Sequence, residues 1–226
     1  TSTVTVTVSA VNEIPVLGSL DGGSVAYAEG DGAVSMDADA TVTDGDSTNF
    51  DTGTLTVTIA SGGDAAEDEL SIENEGTGAG QIGVSGSNVS HAGTVIGTFT
   101  DGSSGNPLVI TLDSDATEAE TQALLRKITY QNTDTSAPTT GGRGVTFVLT
   151  DGDGGTSLTS TVTVTVSAVN DAPVLGSLDG GSVAYAEGDG AVAMDADATV
   201  TDNDSTNFDT GTLLSLIHIS EPTRRY

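Results

Sequence analysis

Cysteine and tryptophan are absent from the 226 residues, and Lys and Arg together number only 5. Without cysteine the chain can form no disulfide and offers no thiolate to a metal. No run of about 18 apolar residues occurs, so no membrane-spanning helix is expected. No signal peptide is visible and the chain does not begin with Met. The expectation is that both ends belong to something longer. Aromatic residues make up 4 % of the chain, which leaves almost none to line a sugar-binding cleft.

What is abundant is acid and glycine. Asp and Glu number 33, the formal net charge is -28, and there are 30 glycines. Such a chain repels nucleic acid phosphates and anionic membranes, which excludes both as partners. It attracts cations. The acids are clustered in turns, a pattern that favours specific divalent binding over general solubility.

The chain repeats itself. Residues 1–55 recur as 159–213, and only four positions differ: Glu13 becomes Asp171, Ile14 becomes Ala172, Ser35 becomes Ala193 and Gly45 becomes Asn203. That fidelity marks tandem modular architecture. The expected organisation is the last strand of a preceding repeat at 1–12, a complete repeat at 13–170, and a truncated next repeat at 171–213. The match stops at Leu213, where composition also shifts. Residues 214–226 resemble the conceptual translation of a transposase sequencing adapter, and they are expected to be a non-native tail.

Thr3–Val8 alternates polar and apolar residues with period two, as do Thr161–Val166, Thr54–Ile59 and Val145–Leu149. Each reads as a half-buried antiparallel strand with its apolar residues inward. Further strands are expected at Val16–Leu20, Ser24–Ala28, Val34–Val42, Leu70–Glu73, Val95–Thr100, Leu108–Leu112 and Ile128–Asn132. One helix is expected over Thr117–Lys127. Thr117 and Glu120 have the spacing of a capping box, Leu124, Leu125 and Ile128 form the packing face, and Arg126 and Lys127 lie at the favourable end of the dipole. The fold class expected is all-β, a two-sheet sandwich with one short helix in a tandem array. The Gly/Ser-rich stretch 61–106 reads as an inserted hairpin or loop.

Calcium takes about six to eight hard oxygen ligands from carboxylates and carbonyls on flexible turns. Several turns have that chemistry. Asp44-Gly45-Asp46 and its copy Asp202-Asn203-Asp204 each place two carboxylates two residues apart, as does Asp151-Gly152-Asp153. Glu29 and Glu187 follow strand-like segments. Asn12-Glu13 and Asn170-Asp171 stand where repeats meet. Asp, Asn and Gly are also what tight turns require, so each Asp-x-Asp alone is weak. An EF-hand is excluded, because a loop starting at Asp151 would have Thr156 and Val162 where Gly and Glu are needed. His91 stands without a catalytic partner, and no Gly-x-Ser-x-Gly elbow occurs, so no enzyme is expected.

At these residues the chain resembles the cadherin-like repeats of large bacterial surface adhesins. The segment Ala168-Val169-Asn170-Asp171-Ala172-Pro173-Val174, with its variant from Ala10 to Val16, is similar to the acidic linker of cadherins. The Asp-x-Asp and Asp-x-Gly turns and the strand-end glutamates are similar to cadherin calcium motifs. The linker departs from the full metazoan form, and the repeat is longer. The resemblance covers nearly all of residues 1–213. It implies an extracellular, cell-surface β-sandwich whose inter-repeat junctions bind Ca2+ and stiffen, functioning in cell adhesion. One junction would use Asn12, Glu13, Glu29, Asp44 and Asp46. The next would use Asp151, Asp153, Asn170, Asp171, Glu187, Asp202 and Asp204. The implied partners are neighbouring repeats and a cell-surface or matrix ligand. A passive spacer and, further off, a carbohydrate-binding or hydrolytic module are the competing readings.

Overall fold

In a computed structural model, which describes residues 2–20, 22–178 and 181–215, the chain is built mostly of β-strands in several sheets with one short helix. It divides into two units, residues 1–169 and 170–226.

In the first unit the strands are β1 (Val16–Gly18), β2 (Ser24–Ala28), β3 (Val34–Ser35), β4 (Thr41–Thr43), β5 (Thr54–Ser61) and β6 (Asp68–Ile72). There follow β7 (Ile82–Ser85), β8 (Asn88–His91), β9 (Thr94–Thr100) and β10 (Leu108–Leu112). Helix α1 (Glu118–Leu125) leads to β11 (Ile128–Asn132), β12 (Gly141–Leu149) and β13 (Ser160–Ser167). An eight-stranded sheet has the order β2-β13-β12-β5-β10-β9-β8-β7. A three-stranded sheet has the order β3-β11-β6, and β1 pairs with β4. All pairs are antiparallel except β2 with β13, where Val25 lies beside Val164 and Tyr27 beside Val166.

Period-two patterning decides which faces are covered. In β13, Val162, Val164 and Val166 are buried while Thr161, Thr163 and Thr165 face out. Leu55, Val57, Leu108, Ile110, Phe147 and Leu149 join them in one core. Tyr27 of the large sheet meets Tyr130 of the three-stranded sheet edge-on, with ring centroids 5.2 Å apart. The expected insert is the hairpin β7–β8 continued into β9. At its outer edge the Asn74 side chain receives the Val84 N–H and donates to the Val84 carbonyl. It thereby occupies groups that would otherwise recruit another strand.

A charged pair is buried in this core. Asp68 is 2 % exposed and Arg143 1 %. Arg143 Nε donates to Asp68 Oδ2 at 2.9 Å. Asp68 also accepts from Tyr130 Oη, Asn132 Nδ2 and the Asp64 N–H, while Arg143 donates onward to the Thr139 and Gly141 carbonyls. Burial pushes the Tyr130 phenol well above its usual range, and its hydrogen bond to Asp68 adds to the effect.

Three expectations need correction. Thr3–Val8 forms no strand, and Val4, Val6 and Val8 are 85 %, 80 % and 89 % exposed. The identical sequence in β13 is a strand because β2 and β12 flank it. The run Val34–Val42 is not one strand. Asp37 Oδ1 accepts the Asp39 N–H, and this turn separates β3 from β4. The helix is shorter than expected and its capping box is incomplete: Thr117 Oγ1 bonds to Glu120 and makes no bond to a helix amide. Leu124, Leu125 and Ile128 are buried as expected. Arg126 Nε instead reaches the Ala40 carbonyl, and Lys127 pairs with Glu73 and Glu75.

In the second unit β14 (Val174–Gly176) pairs with β15 (Thr199–Thr201) in the register of β1 with β4. No other strand is present among its described residues. Leu214 and Ser215 carry no regular structure. The rest of the expected non-native tail, 216–226, lies outside the described residues.

Candidate functional site

The acidic linker Asn12-Glu13 is held by two turns distant in sequence. Asn12 Nδ2 donates to Asp151 Oδ2 at 2.8 Å, and the Glu13 N–H donates to Asp46 Oδ1 at 3.1 Å. The first turn joins β12 to β13. There Asp151 is buried, and its Oδ1 receives the N–H groups of Asp153 and Gly155. Burial alone would raise the Asp151 carboxyl. The bonds from Asn12 and from the Gly155, Asp153 and Gly154 amides outweigh it and hold the group below its ordinary value. Gly155 lets the linker lie against the turn, because a Cβ there would sit 2.7 Å from the Glu13 carbonyl oxygen.

The second turn follows β4. Asp44 Oδ1 receives the N–H groups of Asp46 and Ser47. Asp44 Oδ2 and Ser47 Oγ are buried without a hydrogen-bond partner. The Asp44 N–H donates to Glu118 Oε1 at the start of α1. Spacing gave no hint of Glu118, since the contact crosses 74 residues.

The structure regroups the expected ligands. Asp151 and Asp153 do not lie at the end of β13 from which the chain runs on to Val169. They lie at its start, beside Asn12, because β12 and β13 are antiparallel and their connecting turn sits one strand length away. Eight strand residues separate the two ends by about 27 Å. Conversely, Glu29 is not near Asn12. It lies at the far end of the parallel pair, where its Oε2 accepts the Val169 N–H and its Oε1 is buried without a partner. The first unit therefore gathers Asn12, Glu13, Asp44, Asp46, Asp151 and Asp153 at one end, with Glu29 at the other.

In the second unit the linker pattern recurs. The Asp171 N–H donates to Asp204 Oδ2 at 3.1 Å, and Asp202 Oδ1 receives the Ser205 N–H at 2.9 Å. Asn170 Nδ2 donates to the Asp171 carbonyl, and Glu187 is exposed.

Two of the four differences between the copies touch each other in space. A Cβ on Gly45 would sit 2.1 Å from Glu13 Oε2. The second copy carries Asn203 at the first position and the shorter Asp171 at the other. A side chain grows where its neighbour shrinks. Gly45→Asn is expected to cost about 0.5 kcal/mol by displacing the flexible Glu13 carboxylate, and adding Glu13→Asp should recover it. Thermal unfolding of both single variants and the double variant measures this, and strictly additive effects would show the positions to be independent.

The donors are hard oxygens, which suit calcium, and the partnerless Asp44 Oδ2 is an available one. Among the described residues, however, no three Asp, Glu, His or Cys side chains converge closely enough to hold a metal. The oxygens of Asp46 and Asp151 face N–H donors instead. No helix among the described residues is long and apolar enough to cross a membrane. Compared with known families, characterised proteins and solved structures, the chain gives no match.

Proposed function

We propose that the chain is a repeat module of a large bacterial surface adhesin, an immunoglobulin/cadherin-like β-sandwich stiffened by calcium at its inter-repeat linkers. The observation that supports this reading is the seating of Asn12-Glu13 on Asp151 and Asp46. A linker held by carboxylates of the repeat it leads into is a joint whose stiffness a cation can control. Without cation the like charges of Glu13, Asp44 and Asp46 repel, and the linker flexes. Calcium drawn to those carboxylates offsets the repulsion and fixes the linker to the repeat. With no cysteine in the chain, such an ion does what a disulfide does elsewhere in secreted proteins. Location outside the cell belongs to this reading.

Extracellular calcium modules bind at about 10⁻⁴–10⁻³ M. At about 100 times the dissociation constant, binding adds about 2.7 kcal/mol. A repeat of this size then melts about 5–10 °C higher. Melting in 10 mM calcium against EDTA should show that rise, and Asp44→Asn with Asp46→Asn should abolish it. An unchanged melting temperature in calcium would reduce the acidic turns to turn chemistry and charge.

A second reading, a passive spacer that only presents another domain, is favoured by one observation. Copies that differ at four of 55 positions have not diversified as distinct binding faces would. Binding of the calcium-loaded chain to cells supports adhesion, and absence of binding supports the spacer.

A further inference from the structure

One face of the complete repeat is free of charge. The consecutive strands β13, β12, β5, β10 and β9 of the eight-stranded sheet contain a single charged residue, Arg143, and it is buried. The chain around them carries 33 acids. Strand formation does not require this. In the three-stranded sheet, β6 alternates buried Asp68, Leu70 and Ile72 with exposed Glu69 and Ser71. On the large sheet the outward residues are threonines in register. Thr161 lies opposite Thr146 and Thr146 opposite Thr58. Thr54 lies opposite Thr111 and Thr111 opposite Thr98. Partners in a row stand about 4.8 Å apart, and alternate residues along a strand about 6.8 Å. Leu55, Val57, Ile110 and Phe147 of the same strands point the other way into the core.

We propose that this threonine face binds ice. Its partner is neutral, since the face has no charge with which to hold an ion or a charged polymer. A second copy of the chain is disfavoured, because each copy carries a net charge of -28. A neutral polysaccharide is disfavoured for want of rings to stack against its sugars. Tyr27, Phe50, Tyr130 and Phe147 are buried, and Phe99 packs against the core.

Ice is neutral and periodic, and the face is both. A threonine offers a hydroxyl that donates and accepts, as each lattice water does, beside a methyl group that fills a hollow between waters. The sheet fixes these groups in rows whose spacings are near those of water oxygens on a prism face of ice, so the protein has little to rearrange on contact. A lysine or glutamate at the same place would carry its own hydration shell, which the lattice cannot absorb. Twist carries distant strands out of one plane, so each contact is confined to neighbouring strands, as both rows are.

The test uses the complete chain. Ice is grown slowly on a cooled surface from a dilute solution of the protein, and the protein in the ice is compared with that left in the liquid. Growing ice rejects ordinary solutes, and uptake into the ice is expected for this chain. Thr111→Lys and, in a separate chain, Thr163→Lys change exposed positions of the face. Both are expected to lose the uptake with melting temperature unchanged. Where either variant melts lower, Thr98→Lys, exposed in the same row as Thr111, takes its place. Glu69→Lys alters the net charge more, but on the other sheet, and should keep the uptake. Rejection of the parent chain by growing ice would overturn the proposal. So would uptake that survives the threonine substitutions, or that Glu69→Lys removes equally. Retention on cellulose or chitin without uptake into ice, lost in the same variants, would overturn it in favour of a neutral polysaccharide.

Discussion

Asp68→Ala is expected to destabilise the complete repeat by about 3–5 kcal/mol and to lower its melting temperature by about 10 °C. The change removes the carboxylate that Arg143 Nε meets at 2.9 Å and leaves a guanidinium, 1 % exposed, without its counter-charge. It also strips an acceptor from Tyr130, Asn132 and the Asp64 amide. Desolvation explains the size of the loss. A buried charge without a partner costs several kcal/mol, although the intact pair adds little over an apolar replacement. The double change Asp68→Leu with Arg143→Met should therefore recover much of the loss. Urea unfolding of the three variants measures both quantities. A single variant within about 1 kcal/mol of the parent would mean that water reaches the pair.

Phe50→Ala is expected to cost about 3–5 kcal/mol, whereas Phe208→Ala should change stability by less than about 0.5 kcal/mol. The two phenylalanines occupy the same position of the two copies, in the same local sequence Ser-Thr-Asn-Phe-Asp-Thr-Gly-Thr-Leu. Phe50 is fully buried in the core of the first unit, and Phe208 is 49 % exposed in the second. Truncating the first leaves a cavity in that core, and truncating the second removes a ring already half in water. Thermal unfolding of the two variants side by side tests this. Equal losses would show that the second copy acquires a core of its own.

Much of the fold was legible in the sequence because period-two alternation specifies a half-buried strand wherever a partner exists. β5, β12 and β13 contain the segments where that pattern places a strand. The grouping of the acidic turns was not legible. Asp151 follows the last residues of β12, and only the antiparallel return into β13 carries it to Asn12 across 139 residues. The family resemblance groups Glu29, as a strand-end glutamate, with Asp44, but the parallel pairing of β2 with β13 sends it to the opposite end. Glu118, read only as part of a helix start, meets the Asp44 amide through packing.

The duplicated segment separates what sequence determines from what tertiary structure decides, since the same residues occur once with a core and once without. Preserved in both copies are the bonds within a few residues. Asn49 and Asn207 each receive an amide two residues on, and Asp31 and Asp189 each receive the amide three residues back. Thr52 and Thr210 both adopt φ 64°. The pairing of β1 with β4 reappears in β14 with β15, and the Glu13–Asp46 contact reappears between Asp171 and Asp204. The copies of β2 and β3 are not strands, and the apolar residues that are buried at 17, 20, 27, 36, 42 and 50 are exposed at 175, 178, 185, 194, 200 and 208. Turns and a short paired ribbon close with groups the segment itself supplies. A longer strand needs a neighbour for its amides and carbonyls, and an apolar side chain leaves water only where β5, β11, β12 and β13 provide a surface to cover it.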